Sequence, residues 1–264
     1  MTVPPSDPAT AAALARFYDL DLVDDPGDVE LYRALADRAR GRVLELAVGS
    51  GRVAVPLAAA GHRVTGVDSD TYMLDRARAR GAAGLAGSGG SLELVEADIV
   101  GLALPEGAAF AFGYLALNSL MALGTRAAQQ AALQALADHL EPGGIAAVDI
   151  WLPDADDLAR YDGRLILEWT RTDPTSGLLV TKTGSAQYDA ATGTVGLTSV
   201  FEEGAQGGQM TRWIRHDRLR LVSAEELTGF AEVAGLCVET LAGSYDLEPF
   251  GTGSDRAVLV AIRT

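Results

Sequence analysis

The stretch GRVLELAVGSGRVAVPLAAAGHRVTGVD, residues 41–68, decides how the rest of the chain is read. Val43, Leu44 and Leu46 form an apolar run that stops at a turn of small residues, Ala47-Val48-Gly49-Ser50-Gly51. Arg52 to Ala60 can continue as a helix, and Val64 to Val67 is a second apolar run closed by Asp68. Strand, tight turn, helix, strand and acid in that order make a βαβ unit that cradles an adenosine-containing cofactor. Gly49 and Gly51 let the backbone turn sharply and approach a ligand with no Cβ in the way. The N–H groups that open the following helix can meet an anion or a carboxylate. Asp68 is placed to accept from both ribose hydroxyls, each charge-assisted bond being worth roughly 1.5–3 kcal/mol.

Outward from this unit, residues 1–9 hold three prolines and are expected to be mobile. Thr10 can cap a helix over 11–18, and Leu31, Leu35 and Ala36 line one face of a second helix over about 28–40. Downstream, Ser69-Asp70 caps a helix over 71–80 with Met73, Leu74 and Ala77 toward a sheet. Residues 81–91 carry too many glycines for a helix and read as a connection. Strands follow at 91–97 and 108–117, then a helix over 126–140 capped by Thr125. Glu141-Pro-Gly-Gly144 ends that helix, and 145–151 is the next strand. Alternating strands and helices point to a parallel, doubly wound sheet.

Past Trp151 the pattern changes. A short acidic segment, 154–162, leads into four strand-like runs at about 164–172, 178–188, 194–203 and 209–221, with turns and no long helix between them. This reads as an antiparallel sheet inserted into the α/β domain. Ser223 and Glu226 then make a capping box for a helix to Ala234, and strands at 236–241 and 256–262 close the chain.

Composition narrows the partners. The formal charge of −15 repels phosphate backbones and anionic lipid, which argues against nucleic acid and membrane surfaces. No apolar run reaches the roughly 18 residues of a membrane span, and MTVPPSDPAT has neither the basic start nor the apolar core of a signal peptide, so a cytoplasmic protein is expected. Lys182 is the only lysine, and the abundance of Arg, Ala and Gly reflects a GC-rich genome rather than a basic patch. The single cysteine, Cys237, lies in an apolar strand-like run and is expected to be a buried thiol. No metal site is expected.

The turn leaves two cofactors open, because Gly49-Ser-Gly51-Arg-Val-Ala54 also satisfies the GxGxxA pattern of nicotinamide-dependent oxidoreductases. Against that stand Glu45, four residues before Gly49 where it can meet a cationic amino group, the two helices that precede the first strand, and an ending of one helix and two adjacent strands in place of a second βαβαβ half.

Glu45-Leu-Ala-Val-Gly49-Ser-Gly51-Arg resembles motif I of the class I S-adenosylmethionine-dependent methyltransferases, with Ala47 where that motif has its first glycine. The resemblance extends through Val67-Asp-Ser-Asp70, Met73, Glu96-Ala-Asp-Ile99, Leu117-Asn-Ser-Leu120 and Leu140-Glu-Pro-Gly-Gly144, about 41–151 in all, and Tyr245-Asp246 to Arg256 is similar to the tail of the family's smaller bacterial members. It implies a Rossmann-like, doubly wound seven-stranded sheet with its last strand antiparallel. The domains would be an N-terminal helical lid over 1–40, the cofactor-binding domain over 41–151 and 222–264, and an inserted antiparallel lid over 152–221. An insertion of this kind resembles those of bacterial sugar-amine N-methyltransferases and glycine N-methyltransferase.

On these residues the resemblance implies S-adenosylmethionine, leaving as S-adenosylhomocysteine. Glu45 and the backbone of Ala47, Gly49, Ser50, Gly51 and Arg52 would hold the methionine end. Asp68 and Ser69 would hold the ribose, with Met73 on the adenine. Ala97, Asp98 and Ile99 would read the adenine edge, and Leu115 to Asn118 would floor the sulfonium. Methyl transfer from a sulfonium is an in-line displacement governed by positioning and exclusion of water. An amine acceptor needs only its lone pair, whereas a hydroxyl or carbon acid needs a base. His62 and His139 read as structural, which leaves His216 as the candidate base. Tyr18 lies in a lid segment, where it would touch cofactor and acceptor. The acceptor, a small molecule, would meet Asn118, Trp151, Trp169, Trp213 and Tyr245. The nucleophile is open between nitrogen, oxygen and carbon, a homodimer is compatible, and the GC-rich composition hints at bacterial secondary metabolism.

Overall fold

A computed structural model describes residues 7–23, 26–105, 109–205 and 207–264, so the first six residues, expected to be mobile, and Ala108, the expected first residue of its strand, lie outside the described residues. In chain order the elements are α1 (Pro8–Asp21), α2 (Val29–Ala39), β1 (Arg42–Leu46), α3 (Ala54–Ala59), β2 (Arg63–Asp68), α4 (Thr71–Gly84), β3 (Ser91–Glu96), β4 (Phe110–Leu115), α5 (Ser119–Ala122), α6 (Arg126–His139) and β5 (Leu140–Trp151). Then follow α7 (Ala155–Arg160), β6 (Ile166–Thr172), β7 (Leu179–Asp189), β8 (Thr194–Gly204), β9 (Met210–Arg220), α8 (Ala224–Val233), β10 (Leu236–Ala242) and β11 (Arg256–Arg263). They form two compact units, one of Asp25–Leu152 with Val222–Thr264 and one of Met1–Asp24 with Pro153–Leu221. The division within the N-terminal stretch groups α1 with the inserted strands and α2 with the larger unit.

The larger unit is a seven-stranded sheet in the order β10-β11-β5-β4-β1-β2-β3, in which β11 alone runs antiparallel to its neighbours. This is the doubly wound Rossmann-like sheet expected from the sequence. β4 shows how both faces are covered. Phe112 and Tyr114 pack with Tyr32 of α2, whereas a Cβ on Gly113 between them would fall 2.7 Å from Leu136 of α6. Successive strand residues point to opposite faces, so α2 and α6 lie on opposite sides of the sheet. Tyr32, Phe112 and Tyr114 are fully buried, each worth about 1.5–3 kcal/mol in removal from water.

Three local expectations are corrected here. The cap of α1 is Asp7, not Thr10: its carboxylate accepts from the N–H groups of Ala9 and Thr10, and Pro8, with no N–H to satisfy, opens the helix. α4 continues past Arg80 to Gly84, because Gly81 is buried close to Leu92 of β3 and packing outweighs glycine's poor propensity. Cys237 is exposed, since β10 is an edge strand whose alternation sends Leu236 inward and the thiol outward. The Glu141–Gly144 turn is taken up inside β5 as an irregularity, with Phe110 paired to Leu140 and Phe112 to Ile145.

The smaller unit is a four-stranded antiparallel sheet, β6-β7-β8-β9, with α1 on one face. Leu14, Phe17 and Leu20 of α1 form a core with Val180 and Phe201, the Phe17 and Phe201 rings stacking at 4.8 Å, and Trp169 and Trp213 pack around it. Ion pairs fasten the helix. Arg16 pairs with Asp173 and, 2.7 Å away, Glu203, both acids being buried, and Lys182 meets Asp21 at 2.8 Å.

Candidate active site

In the seven-stranded sheet β1 and β4 are neighbours, and the chain leaves β1 toward β2 but leaves β4 toward β5. The two connections part in opposite directions, and such a switch point opens a crevice at the carboxyl ends of the strands. Most of the expected cofactor residues lie on the turns that rim it.

The turn after β1 is held by backbone geometry. Ala47, Gly49 and Gly51 have φ of 59°, 55° and 75°, and the Val48 N–H donates to the Val67 carbonyl at 2.9 Å. A Cβ on Gly49 would come 3.3 Å from Met73 Cε, and one on Gly51 would come 3.1 Å from Val55 and 3.2 Å from Ala77. The first contact lays Met73 over the turn, and the second explains why helix α4 can pack so close. Ala47 pays for a left-handed backbone that its motif elsewhere assigns to glycine, at a cost of about 1 kcal/mol. Ser50 is buried within the same turn.

Asp68 ends β2 with its two oxygens oriented by backbone donors. Oδ2 accepts from the Gly49 N–H at 2.8 Å and Oδ1 from the Asp70 N–H at 2.9 Å. A carboxylate has about four acceptor positions, so both oxygens keep capacity for a diol. Burial pushes its pKa up against the pull of those N–H groups. The Ala97 N–H donates to the Asp68 carbonyl at 3.0 Å, which draws the end of β3 alongside. Beyond it Asp98 is exposed and accepts from the Val100 N–H at 2.8 Å, Ile99 is buried, and Ser69 is exposed.

Glu45 lies deeper, only 3% exposed, and accepts from the Tyr114 hydroxyl at 2.9 Å. Burial pushes its pKa up to about 8, with the Tyr114 hydrogen bond and the charge of Arg52 opposing. The Arg52 guanidinium makes a bidentate pair with the buried Asp28, at 2.6 and 2.5 Å. That commitment explains why Asp28, although at the N-terminus of α2, gives that helix no side-chain cap.

The turn after β4 carries the opposite rim. Leu115 is fully buried at the strand end, and Leu117 and Asn118 have φ of 50° and 63°. The Leu117 N–H donates to Asp149 Oδ1 at 2.8 Å, and the Trp151 N–H donates to Asn118 Oδ1. Tyr245, three residues past β10, donates from its hydroxyl to Asp149 Oδ2 at 3.0 Å, and the Arg256 guanidinium lies 4.2 Å over its ring. Sequence reasoning passed over Tyr32, Tyr114, Asp28 and Asp149. Asp149 had a readable signal, an acid inside the apolar run Ala146-Ala-Val-Asp-Ile150.

The larger unit thus brings together Glu45, residues 47–52, Asp68, Ser69, Met73, residues 97–99, Leu115, Asn118, Trp151 and Tyr245. Tyr18, Trp169, Trp213 and His216 belong to the smaller unit. There Trp169 and Trp213 flank the Phe17–Phe201 core, and the Trp169 indole N–H donates to Asp21 at 2.8 Å. His216 is exposed on β9 with Nδ1 3.1 Å from Thr198 Oγ1, beside Ser185, Gln187 and Arg218 on one polar concave surface. His139 uses both ring nitrogens in structure, one against the Ala135 carbonyl and one accepting from the Leu104 N–H, and His62 faces Asp37. Among the described residues no cluster of potential metal ligands occurs.

Comparison with known proteins places this geometry. Residues 43–144 match a family described as "Methyltransferase domain". Over 220 residues, 83% of this chain and 82% of the relative, the sequence is 28% identical to the cypemycin N-terminal methyltransferase of a Streptomyces species. The fold matches the CcbJ methyltransferase of Streptomyces caelestis with a TM-score of 0.73 at 26% identity, covering 92% of this chain and 98% of that one. It also matches the sugar N-methyltransferase KedS8 of a Streptoalloteichus species, with a TM-score of 0.71 at 21% identity and 94% and 91% coverage. Residues 43–144 are therefore a methyltransferase domain, and the chain is an S-adenosylmethionine-dependent methyltransferase, not a nicotinamide enzyme.

Proposed function

We propose that this S-adenosylmethionine-dependent methyltransferase acts on a nitrogen of a small molecule in bacterial secondary metabolism. The observation that carries the choice of nitrogen is what the crevice lacks. Among the described residues of the larger unit, the carboxyl edge of the sheet has no histidine, cysteine or lysine: His62, His139 and Cys237 all sit at the opposite, amino ends of β2, β5 and β10. Glu45 and Asp149 there are buried and already hydrogen-bonded. An uncharged amine attacks with its own lone pair and needs no general base in the transition state. The structural neighbour whose name specifies nitrogen, the sugar N-methyltransferase KedS8, supports the same reading.

The cofactor supplies a methyl group on a sulfonium, and the residues present fit it. The turn at Gly49 and Gly51 is left-handed and lies under Met73, and Asp68 offers two oriented oxygens to the ribose diol. Glu45 and the backbone of Ala47 to Arg52 would hold the methionine end, Met73 and residues 97–99 the adenine, and Leu115 to Asn118 the floor under the sulfur. Residues 152–221, with Tyr18 on α1, would provide the acceptor-binding lid. In the smaller unit Tyr18 on α1, with Trp169 and Trp213, would contact an acceptor on the face that carries the helix, and His216 would take a proton from one bound on the other face. In the larger unit Asn118, Trp151 and Tyr245 would contact the acceptor.

The test is to incubate the enzyme and S-adenosylmethionine with amino sugars and with short peptides bearing free N-termini. The expected result is S-adenosylhomocysteine together with an acceptor that has gained one methyl on nitrogen. Methylation of the corresponding hydroxyl compounds, with the amines inert, would overturn the reading.

A further inference from the structure

Asp149 is the polar centre of β5, 1% exposed between Val148 and Ile150. Burying a carboxylate in an apolar strand is unfavourable unless its oxygens are satisfied. Here three donors converge on it: the Leu117 N–H and the Tyr32 hydroxyl on Oδ1, and the Tyr245 hydroxyl on Oδ2. Only the first belongs to the rim of the crevice, and it belongs to the most constrained part. Leu117 and Asn118 are consecutive side-chain-bearing residues in the left-handed region, a strained conformation that persists only where surrounding contacts impose it.

We infer that Asp149 is a positioning residue, which straps the Leu117–Asn118 turn into the shape that forms the sulfonium side of the cofactor site. The strap has a second point two residues on, where the Trp151 N–H meets the Asn118 side chain. It also reaches the other rim. Tyr32, bonded to Asp149, stacks at 4.5 Å on Tyr114, whose hydroxyl donates to Glu45 one residue before the end of β1. Two stacked tyrosines, each bonded to a buried acid, thereby connect the supports of the two turns that flank the crevice. An apolar residue at 149 could fill the space but could not accept the Leu117 N–H, and the turn would be free to leave its left-handed conformation.

The inference rests on the cofactor reading, and the test separates the two. S-adenosylhomocysteine is titrated calorimetrically into the wild type, Asp149→Leu and Asp149→Asn, with thermal unfolding recorded for each. Asp149→Leu is expected to fold with a lowered unfolding temperature, since three donors lose their acceptor, and to bind about tenfold or more weakly, the loss of one hydrogen bond to a charged group together with the turn it orders. Asp149→Asn keeps an oxygen for the Leu117 N–H and is expected to bind within about threefold of wild type. Hydrogen exchange adds a measurement on the wild type alone, in which the Leu117 amide should be protected like those of the sheet. Folded Asp149→Leu that binds as the wild type does, an Asn variant no better than the Leu variant, or a Leu117 amide exchanging like an open loop would each overturn the strap. A wild type that ignores the ligand would overturn the cofactor reading itself.

Discussion

The two units of this chain are built in different ways, and the difference decides how much of each can be read. The cofactor side of the larger unit is built mainly from backbone: three left-handed turn positions at 47, 49 and 51, two N–H groups that orient Asp68, and a second left-handed pair at 117 and 118. Such conformations force particular residues into particular places. The smaller unit offers side chains on a sheet, and a sheet tolerates many side chains on an exposed face. Its interior is fixed by α1, through Phe17 stacked on Phe201 and Arg16 paired with Asp173 and Glu203. Its outer face, with Ser185, Gln187, Thr198 and His216, follows no comparable rule.

If the contrast holds, changes in each unit should separate ligand binding from stability. The largest effect is expected from Glu45→Gln. The folded pKa of Glu45 lies near 8, above its unfolded value, so its protonated form is the one folding favours. The wild type therefore loses stability as pH rises from the unfolded pKa through about 8, and the Gln variant does not. Denaturant titrations should show the two alike near the unfolded pKa and the variant more stable above pH 8 by on the order of 3 kcal/mol. Saturating S-adenosylmethionine should reverse the order if Glu45 meets the cofactor's ammonium group.

Next comes Arg16→Ala, which strands Asp173 and Glu203 in the smaller unit. Removing one partner of a buried pair costs about 3 kcal/mol or somewhat less here, since Arg16 keeps 17% of its side chain exposed. Chemical denaturation should register that loss while affinity for S-adenosylhomocysteine stays within a factor of about two. A large drop in affinity would break the separation of roles. Gly51→Ala should lower the thermal midpoint through about 1–3 kcal/mol of left-handed strain and crowding against Val55 and Ala77. The smallest effect is Ala47→Gly, where relief of the left-handed backbone is partly offset by a freer unfolded chain. A midpoint raised by a few degrees or less is expected from differential scanning calorimetry.

The sheet was legible because the strands in residues 41–151 carry apolar or alternating runs next to turns whose chemistry is local. The inserted strands were legible for the same reason, and their limits at 166–172, 179–189, 194–204 and 210–220 fall within two residues of the turns that bound them. Four misses share a cause, which is information held by the fold and not by neighbours in sequence. Gly81 and Gly84 stay helical because Gly81 is buried close to Leu92, and Cys237 turns outward because β10 is the edge. Asp28 meets Arg52 across 24 positions of chain, and Asp149 meets Tyr32 across 117. The cap at Asp7 was a local signal, since Asp7-Pro8 is a better helix start than Thr10. The acceptor stayed out of reach because side chains on an exposed sheet face obey no backbone constraint that a sequence would reveal.

The central claim is that the turn at 47–51 and Asp68 together hold S-adenosylmethionine. Calorimetric titration of S-adenosylhomocysteine into the wild type and into Asp68→Ala tests it most directly. The account predicts micromolar binding by the wild type and loss of detectable binding in a variant that still unfolds cooperatively. Equal binding by the two proteins, or none by a folded wild type, would contradict it.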